Sequence, residues 1–258
     1  MKISIVTISF NQSEFLRQCI DSVQIQNDSN FEHIIVDPGS VDGSREIIHS
    51  YGTKITPIFE PDNGPADGLN KGFSRASGDI FAFLNSDDEF IPGALERIRI
   101  GMSTGKYDVL SGGGYITNRK GASIRRVIPS RFTPWLYAYG AVTLFQQGTF
   151  FRSEYFKKVG GFNPKNRTCW DGELFLDMSL AGARFGTIAA DVAKFRIYED
   201  SITGSNRQAL AYKHEKDRLF QKAMQRPRRQ MDNVISHLAK GVKYIVSPSY
   251  AFKRLFGR

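Results

Sequence analysis

Gly78-Asp79-Ile80-Phe81-Ala82-Phe83-Leu84-Asn85-Ser86-Asp87-Asp88 is the stretch on which the reading of the chain turns. Ile80 to Leu84 is wholly apolar and delivers two adjacent carboxylates. A run this short and this apolar predicts a strand buried on both faces. Two anions side by side repel and resist desolvation. A divalent cation shared with a diphosphate would relieve both penalties. The plainer alternative is a strand-to-helix turn, with Ser86 or Asp88 capping a helix that starts near Pro92.

Working back from this stretch, the same alternation repeats. Ile3 to Ser9 predicts a first strand, and Asn11 or Ser13 caps the helix in which Phe15, Leu16, Cys19, Ile20 and Val23 recur at helical spacing. Phe31 to Asp37 predicts a second strand ending in an acid, and Pro38 to Ser44 a turn into the helix Arg45 to Tyr51. Ile55 to Phe59 predicts a third strand, and Glu60 to Pro65 a turn into the helix Asp67 to Ser77. Strand and helix in alternation imply right-handed crossovers: an α/β fold with a mostly parallel central sheet and helices on both faces. Ligands of such sheets bind beyond the carboxyl ends of the strands. Ser9 to Asn11, Asp37, Glu60 to Asp62 and Asn85 to Asp88 all fall there.

Working forward, the pattern is less regular. Tyr107 to Ser111 predicts a strand, Gly112-Gly113-Gly114 a bend, and Tyr115 to Arg126 a hairpin around Asn118-Arg119-Lys120-Gly121. Phe145 to Arg152 predicts another strand, with Ser153 capping a short helix. Trp170 begins a helix that buries Leu174, Phe175, Met178 and Leu180, and Val192 to Ile197 predicts a late strand followed by Tyr198 to Gly204.

The charge is uneven. Residues 206–258 hold 13 Lys+Arg and 3 Asp+Glu, a net +10, whereas the whole chain is +9, so the rest is near neutral. The high isoelectric point therefore belongs to the tail and argues against a nucleic-acid-binding fold. Cys19 and Cys169 form neither a disulfide framework nor a zinc pattern, which suits a reducing cytoplasm. The first strand is too short and too hydroxyl-rich for a signal peptide, and no apolar run reaches membrane-spanning length.

The ordered motifs over Met1 to Gly204 resemble the inverting family 2 glycosyltransferases of GT-A fold, particularly those of bacterial surface-polysaccharide biosynthesis. They are Ile5 to Asn11, Ile35-Val36-Asp37 with Gly39-Ser40, Glu60 to Gly64 with Asp67 and Asn70-Lys71-Gly72, Leu84 to Asp88, Gln147 to Phe151, and Trp170 to Leu174. The resemblance implies a Rossmann-like nucleotide-sugar-binding half, 1–110, an acceptor and catalytic half, 111–205, and a basic helical extension, 206–258. It places Thr7, Ser9, Asn11, Asp37, Asp62, Gly64, Asp67, Lys71, Asn85, Ser86 and Asp87 around the donor. It places Gln147 and Glu173 between donor and acceptor. Asp171 falls at the position of the catalytic base, where its helix-start setting would favour the ionised form. Asn85 stands in place of the usual first acid of the metal-binding element, and Leu69 where many members carry arginine.

On this reading Asp87 and Asp88 hold Mn²⁺ or Mg²⁺, and Asp171 deprotonates the acceptor hydroxyl as it attacks the anomeric carbon of a nucleoside diphosphate sugar. The acceptor would be a saccharide or a lipid-linked saccharide. In the tail, Arg226-Pro227-Arg228-Arg229 breaks one helix, and Met231, Val234, Ile235, Leu238, Val242, Ile245 and Val246 then recur at helical spacing among Lys240 and Lys243, with Lys253, Arg254 and Arg258 beyond. A basic amphipathic helix suits the anionic inner face of the cell membrane. Packing on the body or on a second subunit in a homo-oligomer suits it equally. Two other functions compete: a sugar-phosphate nucleotidyltransferase, which lacks its Gly-rich loop here, and a membrane-binding adaptor, which leaves the acids without a purpose.

Overall fold

The computed structural model describes residues 1–26, 28–199 and 209–246. The first half folds as β1 (Ile3–Ile8), α1 (Ser13–Gln24), β2 (Phe31–Val36), α2 (Ser44–Ser50), β3 (Thr56–Ile58), α3 (Pro65–Ser74) and β4 (Ile80–Asn85). β1 pairs in parallel with β2 and with β4, and β2 in parallel with β3. Successive β4 side chains alternate between two cores. Phe81 and Phe83 join Phe73 of α3 on one face, while Ile80, Ala82 and Leu84 join Cys19 and Val23 of α1 on the other. That two-sided burial is why the run reads as uniformly apolar.

The second half comprises β5 (Glu89–Phe90), α4 (Ala94–Ser103), β6 (Val109–Thr117), β7 (Ser123–Val127), α5 (Pro134–Ala138), β8 (Thr149–Arg152), α6 (Ser153–Val159), α7 (Trp170–Leu180), β9 (Phe185–Arg196), α8 (Ala209–Met224) and α9 (Asp232–Val246). Among the described residues the sheet runs β3-β2-β1-β4-β8-β6-β9-β5, with β7 on β6. β8 is antiparallel to both β4 and β6, and β6 is parallel to β9. The sheet is thus parallel where the sequence alternated regularly and mixed beyond β4.

Several local expectations change, among them Ser153, which is the first residue of α6 and not its cap. Gly112-Gly113-Gly114 is no bend but the middle of β6, and a Cβ on Gly114 would collide with the Ala193 carbonyl, so the glycines admit β9 at close range. The strand expected from Phe145 begins only at Thr149, after a 3₁₀ turn at Gln146–Gly148. Neither Asn11 nor Ser13 caps α1: Asn11 takes a left-handed φ of 52°, and the Ser13 amide donates to Asp42 Oδ2 from the neighbouring loop. Leu180 ends α7 exposed, since the chain turns away there.

The tail helices pack on the body. Leu219 of α8 enters the same core as Phe81, and Phe220 is fully buried against Tyr139. Ile235, Ala239 and Val242 of α9 pack on α5 and on Phe220. Asp232 is 1 % exposed and accepts from Arg226 Nη2 at 2.7 Å and from the Tyr139 hydroxyl at 2.8 Å. Ser201 to Gly204, Lys253, Arg254 and Arg258 lie outside the described residues.

Candidate active site

Parallel pairing brings the ends of β1, β2 and β4 to one edge. The Ser9 amide donates to the Val36 carbonyl at 2.9 Å, so Ser9 and Asp37 are neighbours on adjacent strand ends. Asp37 is fully buried. Its Oδ1 accepts from the amides of Gly39 and Ser40, at 3.0 and 2.8 Å, and from Arg45 Nε at 3.1 Å. Its Oδ2 accepts from nothing, and Ser9 Oγ is equally without a partner; these are the buried side-chain polar atoms left unsatisfied among the described residues. Orphaned buried oxygens are uncommon, and each carries a desolvation penalty of about 1–3 kcal/mol. Phe10, the residue after Ser9, is 59 % exposed at the same edge. Sequence reading passed over it because an aromatic after an apolar strand reads as core.

At the end of β4 the two acids separate. Asp88 turns inward and is 1 % exposed. Its Oδ1 accepts from the Arg196 amide at 3.0 Å, and its Oδ2 from Gln147 Nε2 at 3.1 Å and Asn85 Nδ2 at 3.3 Å. Burial and the Asp87 charge push its carboxyl well above the usual range. Asp87 is half-buried and accepts from the Tyr198 hydroxyl; burial raises its carboxyl too. The pair expected to share a cation is therefore one outward acid backed by one internal acid. The same bonds explain Gln147, which is buried and holds Asp88, and Asn85, whose amide does likewise.

Arg196, at the end of β9, was not legible as part of the site. It is 2 % exposed, and its guanidinium donates to the Asp87 carbonyl at 3.0 Å, Arg119 O at 2.7 Å, Gln18 Oε1 at 2.8 Å and Glu89 Oε1 at 2.7 Å. Each partner is remote in sequence, so no local pattern announces it. Tyr198, Arg119, Asn11, Gln12 and Asp42 line a cleft of about 280 Å³ beside the acid turn.

Asp171 lies in the first turn of α7, where its Oδ1 accepts from the Gly172 amide at 2.8 Å. Burial raises its carboxyl above the usual range, so desolvation outweighs the helix-start effect expected from sequence. Tyr137 packs so tightly here that a side chain on Gly172 would strike its hydroxyl. Glu173, two residues on, points elsewhere. It is 2 % exposed and takes Arg218 Nη1 at 2.8 Å, Lys222 Nζ at 3.3 Å and Asn166 Nδ2 at 2.8 Å. Burial alone would raise it, but Arg218, Asn166 and Asn163 hold it down at about 2. It fastens α8 to α7.

The remaining expected donor residues divide. Thr7 is fully buried, its hydroxyl 2.9 Å from His33 Nε2, and does not reach the edge; Ser86 is buried as well. Asn11 braces two loops, taking Val41 N at 3.0 Å. Asp62 Oδ1 accepts from the amide of Gly64, whose φ of 117° turns the chain into α3. Asp67 accepts from the Asn63 amide at 2.9 Å, and the Lys71 ammonium donates to the Pro61 carbonyl. Asp62, Gly64, Asp67 and Lys71 thus build the β3–α3 loop from within.

The family profile described as glycosyl transferase family 2 matches residues 4–160. A Mycobacterium tuberculosis protein named only as a glycosyltransferase is 30 % identical over 192 residues, 69 % of each chain. Other curated relatives are matched over about a third of their own length, 32 % in one case. Among solved structures, S. aureus TarS 1–349 in complex with UDP-GlcNAc superimposes with a TM-score of 0.72 at 17 % identity, over 98 % of this chain and 75 % of that one. A mannosyltransferase of Pyrobaculum calidifontis in complex with GDP-Man and Mn²⁺ gives 0.67 at 15 % identity, over 100 % and 76 %. At these identities the likeness is one of fold, the GT-A architecture implied by the motif order.

Proposed function

Since the chain belongs to glycosyl transferase family 2, we propose that it moves a sugar, with inversion, from a nucleoside diphosphate sugar to a hydroxyl of a saccharide or lipid-linked saccharide. The observation that carries this reading is the orphaned pair Ser9 Oγ and Asp37 Oδ2. An acceptor oxygen beside a hydroxyl, both dry, is complementary to the hydroxyls or imide N–H of a nucleoside. Phe10, exposed alongside, offers a ring against which a base stacks.

Asp87 fits a divalent cation of the kind that keeps one or two protein carboxylates and takes the rest from phosphate and water. Its raised, half-buried carboxyl beside Asp88 is an anion that a cation would stabilise. Mn²⁺ or Mg²⁺ bound there would supply Lewis-acid neutralisation of the departing diphosphate. Arg196 and Tyr198 fix the turn from which Asp87 projects. Asp171 accepts the proton of the acceptor hydroxyl; its raised carboxyl makes it a stronger base than an exposed aspartate. A lipid-linked acceptor places the protein peripherally on the inner face of the cell membrane, a location the basic tail supports. No helix among the described residues is long and apolar enough to cross a membrane.

A thermal-shift series with UDP, GDP, dTDP and CMP, each with and without Mn²⁺, tests the donor site. One diphosphate is expected to raise the melting temperature, with about 2.7 kcal/mol of stabilisation at a hundredfold excess over Kd. Asp37→Ala is expected to remove that shift. Silence from every nucleotide would overturn the assignment. Asp87→Ala is expected to weaken Mn²⁺-dependent nucleotide binding at least tenfold, about 1.4 kcal/mol. Calorimetric binding that is unchanged, with Mn²⁺ present, would remove Asp87 from the cation site.

A further inference from the structure

We infer that the outer face of α9 docks on the surface of an anionic lipid bilayer. This deepens the peripheral location proposed above by naming the contact surface and its lipid chemistry. The apolar positions of α9, with Met231 just before it, form two adjacent stripes, one covered and one open. Ile235, Ala239 and Val242 point inward, onto Leu136, Tyr139 and Phe220. Met231, Val234, Leu238 and Ile245 point outward, with exposures of 75, 65, 65 and 76 %. Their spacing of three, four and seven residues aligns them along one side of a helix. A helix that packs on its own domain needs one apolar stripe. The second stripe is covered by nothing within the described chain.

Charge selects the occupant. Residues 226–246 carry Arg226, Arg228, Arg229, Lys240 and Lys243 against the single acid Asp232. Asp232 is buried beneath the helix and taken by Arg226, so α9 has no exposed carboxylate of its own, although Arg228 pairs with the exposed Asp217 of α8 at 3.1 Å. A second copy meeting the same face across a two-fold axis would set cations against cations. A bilayer rich in anionic headgroups answers both features: apolar side chains enter the acyl boundary while flanking cations meet phosphate. α9 also lies close to the catalytic half, for α9 and α7 both pack on α5, and α7 begins beside Asp171.

Flotation of the 258-residue chain with phosphatidylcholine vesicles, with and without phosphatidylglycerol, tests the surface. The protein is expected to float with anionic vesicles only, and less so at high salt. Val234→Glu with Leu238→Glu, both on the exposed side, is expected to reduce recovery at least tenfold with an unchanged melting temperature. Wild-type protein that stays at the bottom, or a variant that floats as well as wild type, would overturn the proposal. So would a wild-type dimer that the same variant converts to monomer, since a second copy would then cover the stripe. The assay contains neither nucleotide nor sugar. Its failure leaves the transfer reading standing, and a silent nucleotide screen leaves this one standing.

Discussion

Asp171→Asn is expected to lower turnover by about 10²–10⁴-fold, the range that a positioned general base contributes, while nucleotide binding stays near wild type. Asparagine is nearly isosteric, and its side-chain oxygen can still accept the Gly172 amide that Asp171 Oδ1 accepts now. The helix start is therefore preserved and only the proton acceptor is lost. Because burial raises the Asp171 carboxyl, the acid limb of kcat/KM is expected above the ordinary aspartate range of about 3.9. Activity falls as pH drops through the raised Asp171 pKa, since the protonated acid cannot take a proton. Steady-state rates across pH, paired with nucleotide thermal shifts, check both halves. Turnover of the variant within a few-fold of wild type would place the base elsewhere.

Ending the chain at Ser205 is expected to destabilise the whole domain. α8 supplies Arg218 and Lys222 to Glu173, a carboxylate whose side chain is 3 % exposed. Removing the cations leaves whatever part of that charge stays covered uncompensated, at a cost of up to about 3–5 kcal/mol, a large share of the roughly 5–15 kcal/mol that holds a domain folded. The lost burial of Leu219 and Phe220 adds to this. Thermal unfolding is expected to fall by roughly 6–20 °C, at about 2–4 °C per kcal/mol for a domain of this size. The pH dependence has a definite sign. Glu173 is held at about 2 in the folded protein, below its usual 4.5. The stabilisation is therefore full above about 4.5 and lost as pH falls towards 2, so the two chains should converge in acid. A truncated chain that melts within a degree or two of the full one would show that the clamp is idle.

The parallel half could be read in advance because its information is local. β1 to β4 each announce themselves by apolar runs, and the polar residues at their ends follow from topology. What escaped sequence reading depends on partners far apart in the chain. Asp88 and Asp87 are indistinguishable as letters; only the Arg196 amide and the Gln147 amide, from beyond β4, decide which one turns inward. Glu173 sits two residues from Asp171 and shares its chemistry, yet Arg218 claims it from α8. Gly112 to Gly114 read as a bend because three glycines weaken a strand locally; the close approach of β9 overrides that weakness. In the same way the apolar positions of α9 looked like one face, and only packing divided them in two.

The buried guanidinium of Arg196 gathers Gln18 on α1, the Asp87 carbonyl, Glu89 on β5 and the carbonyl of Arg119 at the β6–β7 turn. Four stretches with little sequence proximity thereby share one fastening. None can swing away singly without stranding a charged group in a dry interior. The rim of the crevice is therefore held as one unit.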